Sequence, residues 1–174
     1  SLYELYGSSE SGWVTMLQPE EQFSHLGTVG KECIASKPIK LLDKNFKEVE
    51  DGKIGELYAC PPYNFSYYWN NKNKTKQAFF NDYVSVGDLA LRTKDGYIKL
   101  IDRKNNMIIS GGENIYPSEV ENAIGQNESV KDVAVIGYPN FKWGETVCAF
   151  VVLKNNAKID ENALITWTKS KIAG

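Results

Sequence analysis

The 174 residues carry 20 Lys and Arg against 22 Asp and Glu, a net charge of −2, and the basic residues are scattered rather than clustered. This excludes the dense basic surface of a nucleic-acid binder and suits one domain or two small ones. Cys33, Cys60 and Cys148 are odd in number and far apart, which argues against a disulfide framework, and no CxxC or Cys/His cluster suggests zinc.

In chain order, the start SLYELYGSSE lacks the basic stretch and apolar core of a secretory signal. No apolar run reaches the ~18 residues that span a bilayer, so the expectation is a cytoplasmic protein without a transmembrane segment. His25, the only histidine, has no Ser or Cys motif beside it and reads as a surface or packing residue. The first hundred residues are β-rich. Residues 38–43 and 54–60 read as strands on either side of the turns at Lys44–Lys47 and Asp51-Gly52. Leu89–Arg92 and Tyr97–Ile101 flank the hairpin signal Thr93-Lys94-Asp95-Gly96. Short strands at this spacing predict a small β-barrel-like subdomain. Asn70–Lys76 reads as a polar loop.

The pattern changes at Asp102–Asn106, a polar patch between apolar runs, which places a domain boundary near Arg103. The domains expected are 1–102 and 103–174. The second reads as strand 107–109, helix 118–125, strands 133–137 and 147–153, and a helix 161–172 capped by Asp160. Pro117 suits a helix start, and Ser118 with Glu121 forms a predicted capping box. The fold class is α+β: a barrel-like part followed by a compact α+β domain. Both ends of the chain look cut.

Three clusters carry candidate chemistry. Tyr6-Gly7-Ser8-Ser9-Glu10 sets an aromatic ring, hydroxyls and a carboxylate in five residues, suited to a base, phosphates and Mg²⁺, or else to a solvated turn. Asp88, after Val86-Gly87, could accept both ribose hydroxyls or sit in an ordinary turn. Arg103 offers five fixed donors for ribose or phosphate, or a surface ion pair. Gly111-Gly112 joins a strand to a helix, but GxGxxG and GxxxxGK[ST] are both absent. Spacing leaves two readings, a flexible turn or a loop where a ligand passes close to the backbone.

The ordered set YGSSE, GKIGELYACPPYNFSYYWNNKNKT, YVSVGDLALRTKDGYIKLIDR, ISGGENIYPSEVE and VAVIGYPNFKWGETVCAFVVL resembles the adenylate-forming acyl-CoA synthetase family over nearly the whole chain. It looks most like the fatty-acyl-CoA and o-succinylbenzoate-CoA ligases. The resemblance implies an enzyme that activates a carboxylic acid, with a fatty acid expected, using ATP and Mg²⁺, and transfers the acyl group to CoA. It implies that Tyr6 packs on the adenine and Gly7 also binds the nucleotide, that Ser9 at phosphate and Glu10 at Mg²⁺ are catalytic, and that Asp88 with Arg103 binds the ribose. It further implies that Asn105 lies at a hinge and Gly111-Gly112 beside the pantetheine of CoA, in a second domain that rotates between half-reactions. Three departures stand out. Ser9 replaces the usual Thr, Asn105-Asn106 replaces a charged pair, and Tyr67 replaces the glycine before Tyr68-Trp69. The resemblance places the family's phosphate loop far upstream and its adenylation lysine shortly past Gly174, so both are outside these 174 residues and the second domain is expected to be truncated. A fragment of a larger enzyme, inactive alone and completed by an N-terminal part of the same chain, is therefore expected. The competing readings are a domain that loads a carrier protein and a non-catalytic nucleotide- or partner-binding module.

Overall fold

The computed structural model describes residues 2–172. The chain divides into two compact units, Ser1–Lys104 and Asn105–Gly174.

The first unit opens with β1 (Glu4–Ser8) and β2 (Gly12–Leu17), which with β3 (Lys31–Glu32) form an antiparallel sheet in the order β1-β2-β3. Then come β4 (Lys37–Leu42), β5 (Gly55–Cys60), α1 (Lys72–Ala78), β6 (Phe79–Phe80), β7 (Tyr83–Val84), β8 (Asp88–Arg92) and β9 (Ile98–Arg103). These strands make a second sheet ordered β6-β7-β5-β8-β9, with β4 also paired to β5. Period-two alternation turns Val14, Ile39, Leu41, Leu57, Ala59, Ala90 and Ile98 into one shared core, each at most 3% exposed.

Neither sheet closes into a barrel, which corrects the barrel-like expectation. The Val29 N–H donates to the Ile98 carbonyl at 2.8 Å and the Ile98 N–H to that of Gly30 at 2.9 Å. These bonds tie β9 to the link before β3 where closure would need a continuous ladder. At β4, the Ile39 N–H is taken by the Glu32 carboxylate (2.9 Å) rather than by a strand. The two sheets share one apolar core and each stays open. A second correction is α1, inside the segment read as a polar loop. Asn71 caps it by accepting from the Lys74 N–H at 2.9 Å. Only Ala78 of this helix is buried, so no apolar period announced it.

The second unit contains β10 (Ile108–Ser110), β11 (Glu113–Ile115), α2 (Pro117–Gly125), β12 (Val130–Asn140), β13 (Gly144–Leu153) and α3 (Glu161–Lys169). Its antiparallel sheet runs β11-β10-β13-β12. The core gathers Ile108, Val120, Ile124, Val130 and Val135, with Leu164 against it. The β12–β13 hairpin is longer than expected because Pro139 stays in register opposite Glu145. Strand β12 is an edge strand, where a missing N–H costs no ladder bond.

The capping box does not form. The N-cap of α2 is Tyr116, with no side-chain cap bond, and Pro117 is inside the first turn. Glu121 instead accepts from the Val135 N–H at 2.8 Å and fastens α2 to β12. Asp160 caps α3 as expected, accepting from the Ala163 N–H at 2.9 Å, but this helix stops at Lys169, short of residue 172. The chain's last two residues, Ala173 and Gly174, lie outside the described ones. Among the described residues no helix is long and apolar enough to cross a membrane.

Candidate functional site

The register of β8 on β9 sets Asp88 directly opposite Arg103. The pairing shifts by one residue between Leu89 and Ala90, so β9 carries a bulge that re-aims its end. Arg103 Nε lies 3.3 Å from Asp88 Oδ1, and the Tyr6 hydroxyl donates to Asp88 Oδ2 at 2.6 Å. Asp88 is buried at 9% exposure, whereas the Arg103 side chain is 67% exposed. Burial, then the bond to Asp88, pushes the Tyr6 phenol far above its ordinary range. Three residues separated by up to 97 positions thus meet at one end of a strand pair.

Strand β1 is irregular just where Tyr6 reaches Asp88. The pairing with β2 shifts between Tyr6 and Gly7. At Gly7 a Cβ would fall 2.0 Å from the Gly12 carbonyl oxygen, so only glycine permits the approach. Gly7 is a packing requirement of the β1–β2 hairpin. The ring of Tyr6 packs half-buried on the shared core.

The turn after β1 is organised by Ser8, whose hydroxyl serves the backbone. Its hydroxyl accepts from the backbone N–H of Glu10 (3.2 Å) and of Ser11 (3.1 Å). That local bonding holds the tip, where Ser9 stands exposed. Glu10 Oε1 accepts from the Tyr68 hydroxyl at 2.7 Å, and the Glu10 carbonyl accepts from the Phe65 N–H at 2.8 Å. The Tyr68 bond, acting against partial burial, holds the Glu10 carboxyl below its usual range. Burial first, then Glu10, pushes Tyr68 up to about 12. The Lys74 ammonium sits 4.5 Å from the Tyr68 ring centre. The sequence gives Tyr68 no role of its own; its signal is the aromatic run Tyr67-Tyr68-Trp69, which spacing alone cannot sort.

Among the described residues no group of three or more His, Cys, Asp or Glu stands together as a metal cage. A single ionised Glu10 carboxylate fits a Mg²⁺ that arrives with phosphates, because Mg²⁺ keeps several waters and uses one or two protein carboxylates.

Asn105 lies in the 3₁₀ turn Lys104–Asn106, at the start of the second unit. Within that unit Gly111 and Gly112 connect β10 to β11 with φ of +59° and +91°. The two differ in surroundings. A Cβ on Gly111 would stand 2.8 Å from Cε3 of Trp143, and the Gly111 N–H donates to the Trp143 carbonyl at 2.9 Å. A Cβ on Gly112 would meet nothing within 4 Å. Gly111 therefore packs under an indole, while Gly112 leaves open space. The structure brings together Tyr6, Asp88 and Arg103, and joins Glu10 to Tyr68; Gly111 and Gly112 belong to the other unit.

Two sheets carrying this Tyr–Asp–Arg cluster are followed in the chain by an α+β unit with a paired-glycine loop. Residues 119–174 match the AMP-binding enzyme C-terminal domain, and the chain belongs to this AMP-binding family as a C-terminal portion of its members. It is 35% identical to the medium/long-chain-fatty-acid–CoA ligase FadD8 of Mycobacterium tuberculosis, over 95% of this chain and 29% of the relative. The o-succinylbenzoate CoA synthetase MenE of Bacillus subtilis has been solved with its acyl-adenylate OSB-AMP and with ATP and magnesium. It superposes with TM-scores of 0.88 and 0.86 at 30% and 28% identity, over 98% of this chain and 35% of that one. ATP-bound MatB from Rhodopseudomonas palustris superposes with a TM-score of 0.89 at 32% identity, over 99% of this chain and 34% of that one. The chain spans about a third of the length of the curated relatives it matches.

Proposed function

We propose that the chain is a C-terminal fragment, truncated within its second domain, of an ATP-dependent, AMP-forming acid–thiol ligase, with a fatty acid as the carboxylate and CoA as the acceptor. The observation that carries this reading is the Tyr6–Asp88–Arg103 cluster, with Glu10 on the turn that follows the strand bearing Tyr6. A carboxylate has about four lone-pair positions. Asp88 gives one oxygen to Tyr6 and turns the other to Arg103, which leaves acceptor capacity for the two ribose hydroxyls. Tyr6, its hydroxyl committed, offers its ring edge and face to adenine. Arg103, largely exposed, adds a permanent positive charge beside the nucleotide. Ser9 donates its hydroxyl toward phosphate from the exposed tip. Glu10, kept ionised, would hold Mg²⁺, which when bound supplies charge neutralisation for the leaving pyrophosphate.

In the first half-reaction a substrate carboxylate oxygen bonds to the α-phosphorus of ATP as the bond to pyrophosphate breaks. In the second the CoA sulfur bonds to the acyl carbon, AMP leaves, and the thiol proton is lost. These residues contribute position and charge rather than covalent chemistry. On this reading the second unit is a mobile domain, Asn105 its hinge, and the open side of Gly112 a passage for the pantetheine arm. The fragment by itself is inactive, and the enzyme works in the cytoplasm.

The test is pyrophosphate release by the full-length enzyme with ATP and Mg²⁺, with and without CoA, across acetate, medium- and long-chain fatty acids and aryl acids. Release stimulated by fatty acids, with turnover dependent on CoA, is expected. Silence with every acid, from folded enzyme that binds ATP, overturns the reading in favour of a non-catalytic module. Release that turns over only with a carrier protein replaces CoA as the acceptor.

A further inference from the structure

One ionic ring remains unused by the roles assigned above. Glu56, the second residue of β5, has a side chain only 16% exposed. Its Oε1 accepts from the Ser85 hydroxyl at 2.8 Å, and its Oε2 lies 2.7 Å from the ammonium of Lys104. Ser85 is buried, and its Oγ also accepts from the Gly87 N–H at 3.0 Å. The Gly87 carbonyl in turn accepts from the Lys104 N–H at 2.8 Å. The ring is closed: Glu56, Ser85, Gly87, Lys104 and back to Glu56.

Its place gives it a task. Gly87 and Asp88 are consecutive, and so are Arg103 and Lys104. Gly87 grips Lys104 through the backbone while Asp88 grips Arg103 through its side chain. Lys104 is also the last residue of the first compact unit. A chain that joins two compact units turns where its backbone is least held. Most of the Lys104 side chain is in solvent, but its partner is not, and a half-buried carboxylate bonded to a hydroxyl cannot follow a moving lysine.

We propose that Glu56 is a positioning residue that clamps Lys104 to the first unit, so that turning begins at Asn105 and Arg103 stays on Asp88. This rests on the ligase reading for its consequence in catalysis, but not for the clamp itself. Without the clamp, freedom spreads backward through Lys104 to Arg103, and the arginine leaves the carboxylate that sets its direction.

Two measurements separate the clamp from the function. The first is amide hydrogen exchange on the full-length protein, comparing wild type with Glu56→Gln and Lys104→Met. Exchange over residues 103–106 is expected to rise at least tenfold in both variants, with Leu57 and Ala90 in the core unchanged. Lys104→Arg should restore the protection. If Glu56→Gln unfolds the unit, Lys104→Met at its exposed position carries the comparison. Unchanged exchange over 103–106 overturns the clamp. The second is the adenylation half-reaction of the full-length enzyme. There the KM for ATP is expected to rise about five- to tenfold in Glu56→Gln and Lys104→Met, with Lys104→Arg near wild type. Raised exchange with an unaltered KM would leave a clamp that does not position Arg103, and overturns the proposal. Absence of any carboxylate-dependent activity in the wild type fails the ligase reading, while the exchange result still reports on the clamp.

Discussion

Asp88 and Arg103 face each other across the antiparallel pair β8–β9, with Nε and Oδ1 3.3 Å apart. The two members are unequal in burial, 12% against 67% side-chain exposure. An ion pair with one exposed arm is worth little to stability, about 0–1 kcal/mol. The bond from Tyr6 to the same carboxylate is the costlier one to break, since a buried hydroxyl left without an acceptor costs about 1–3 kcal/mol. Arg103→Ala should therefore lower stability by less than ~1 kcal/mol, and Asp88→Ala by about 1–3 kcal/mol. Chemical denaturation of the two variants measures the order. In the ligase reading both variants weaken ATP binding, so a variant that melts like wild type yet binds nucleotide poorly identifies Arg103 as a ligand-facing group.

Glu10 and Tyr68 make a pH-sensitive pair. The Tyr68 hydroxyl holds the Glu10 carboxyl low, so the stability this bond gives is present above the ordinary Glu range and is lost as pH falls through the depressed folded value. Tyr68→Phe should move the Glu10 carboxyl titration upward toward the ordinary value, as read by side-chain carboxyl NMR. Tyr68 shows the opposite sign. Its folded value is about 12, so its contribution is complete below the free phenol value near 10 and fades as pH rises through about 12. Alkaline ultraviolet titration of Glu10→Gln should show one tyrosine ionising earlier than in wild type.

The two glycines before α2 should respond differently to alanine. Both have positive φ, so each substitution carries roughly 1–2 kcal/mol of backbone strain. Only Gly111→Ala also drives a methyl into the Trp143 ring. Fluorine NMR with 5-fluorotryptophan should show the Trp143 resonance displaced in Gly111→Ala and nearly unmoved in Gly112→Ala. Gly111→Ala should also melt lower. Equal displacement in both variants would remove the packing role assigned to Gly111.

Glu121 takes over from the absent capping box. Its carboxylate receives the N–H of buried Val135, so Glu121→Ala leaves that donor unsatisfied and should destabilise the second unit by about 1–3 kcal/mol. Glu121→Gln keeps an acceptor and should recover most of the loss. Thermal melts of the three forms test this.

Sequence alone determined the strands and helices whose signal is periodic: 38–43, 54–60 and the hairpin around Asp95-Gly96 in the first unit, α2 and the Asp160 cap in the second. Their alternation or capping chemistry is local, so it is legible without neighbours. It also determined the family, because five short motifs kept their order and spacing. Tertiary structure decided the rest, and each case turns on a long-range partner. Whether the strands close into a barrel depended on Glu32 and Gly30 standing in for ladder partners. Ser118-x-x-Glu121 has the spacing of a cap, but Val135 offered Glu121 a buried donor, and a buried unsatisfied N–H outweighs an exposed cap. Helix α1 was hidden because only Ala78 of it is buried. In the site, Asp88 and Arg103 were visible as single residues, whereas Tyr68 and Glu56 were not. Their roles come from partners 58 and 48 positions away, brought within a hydrogen bond by sheet register. Residue types and spacing state what a side chain can do; register and burial select which of its possible partners it meets.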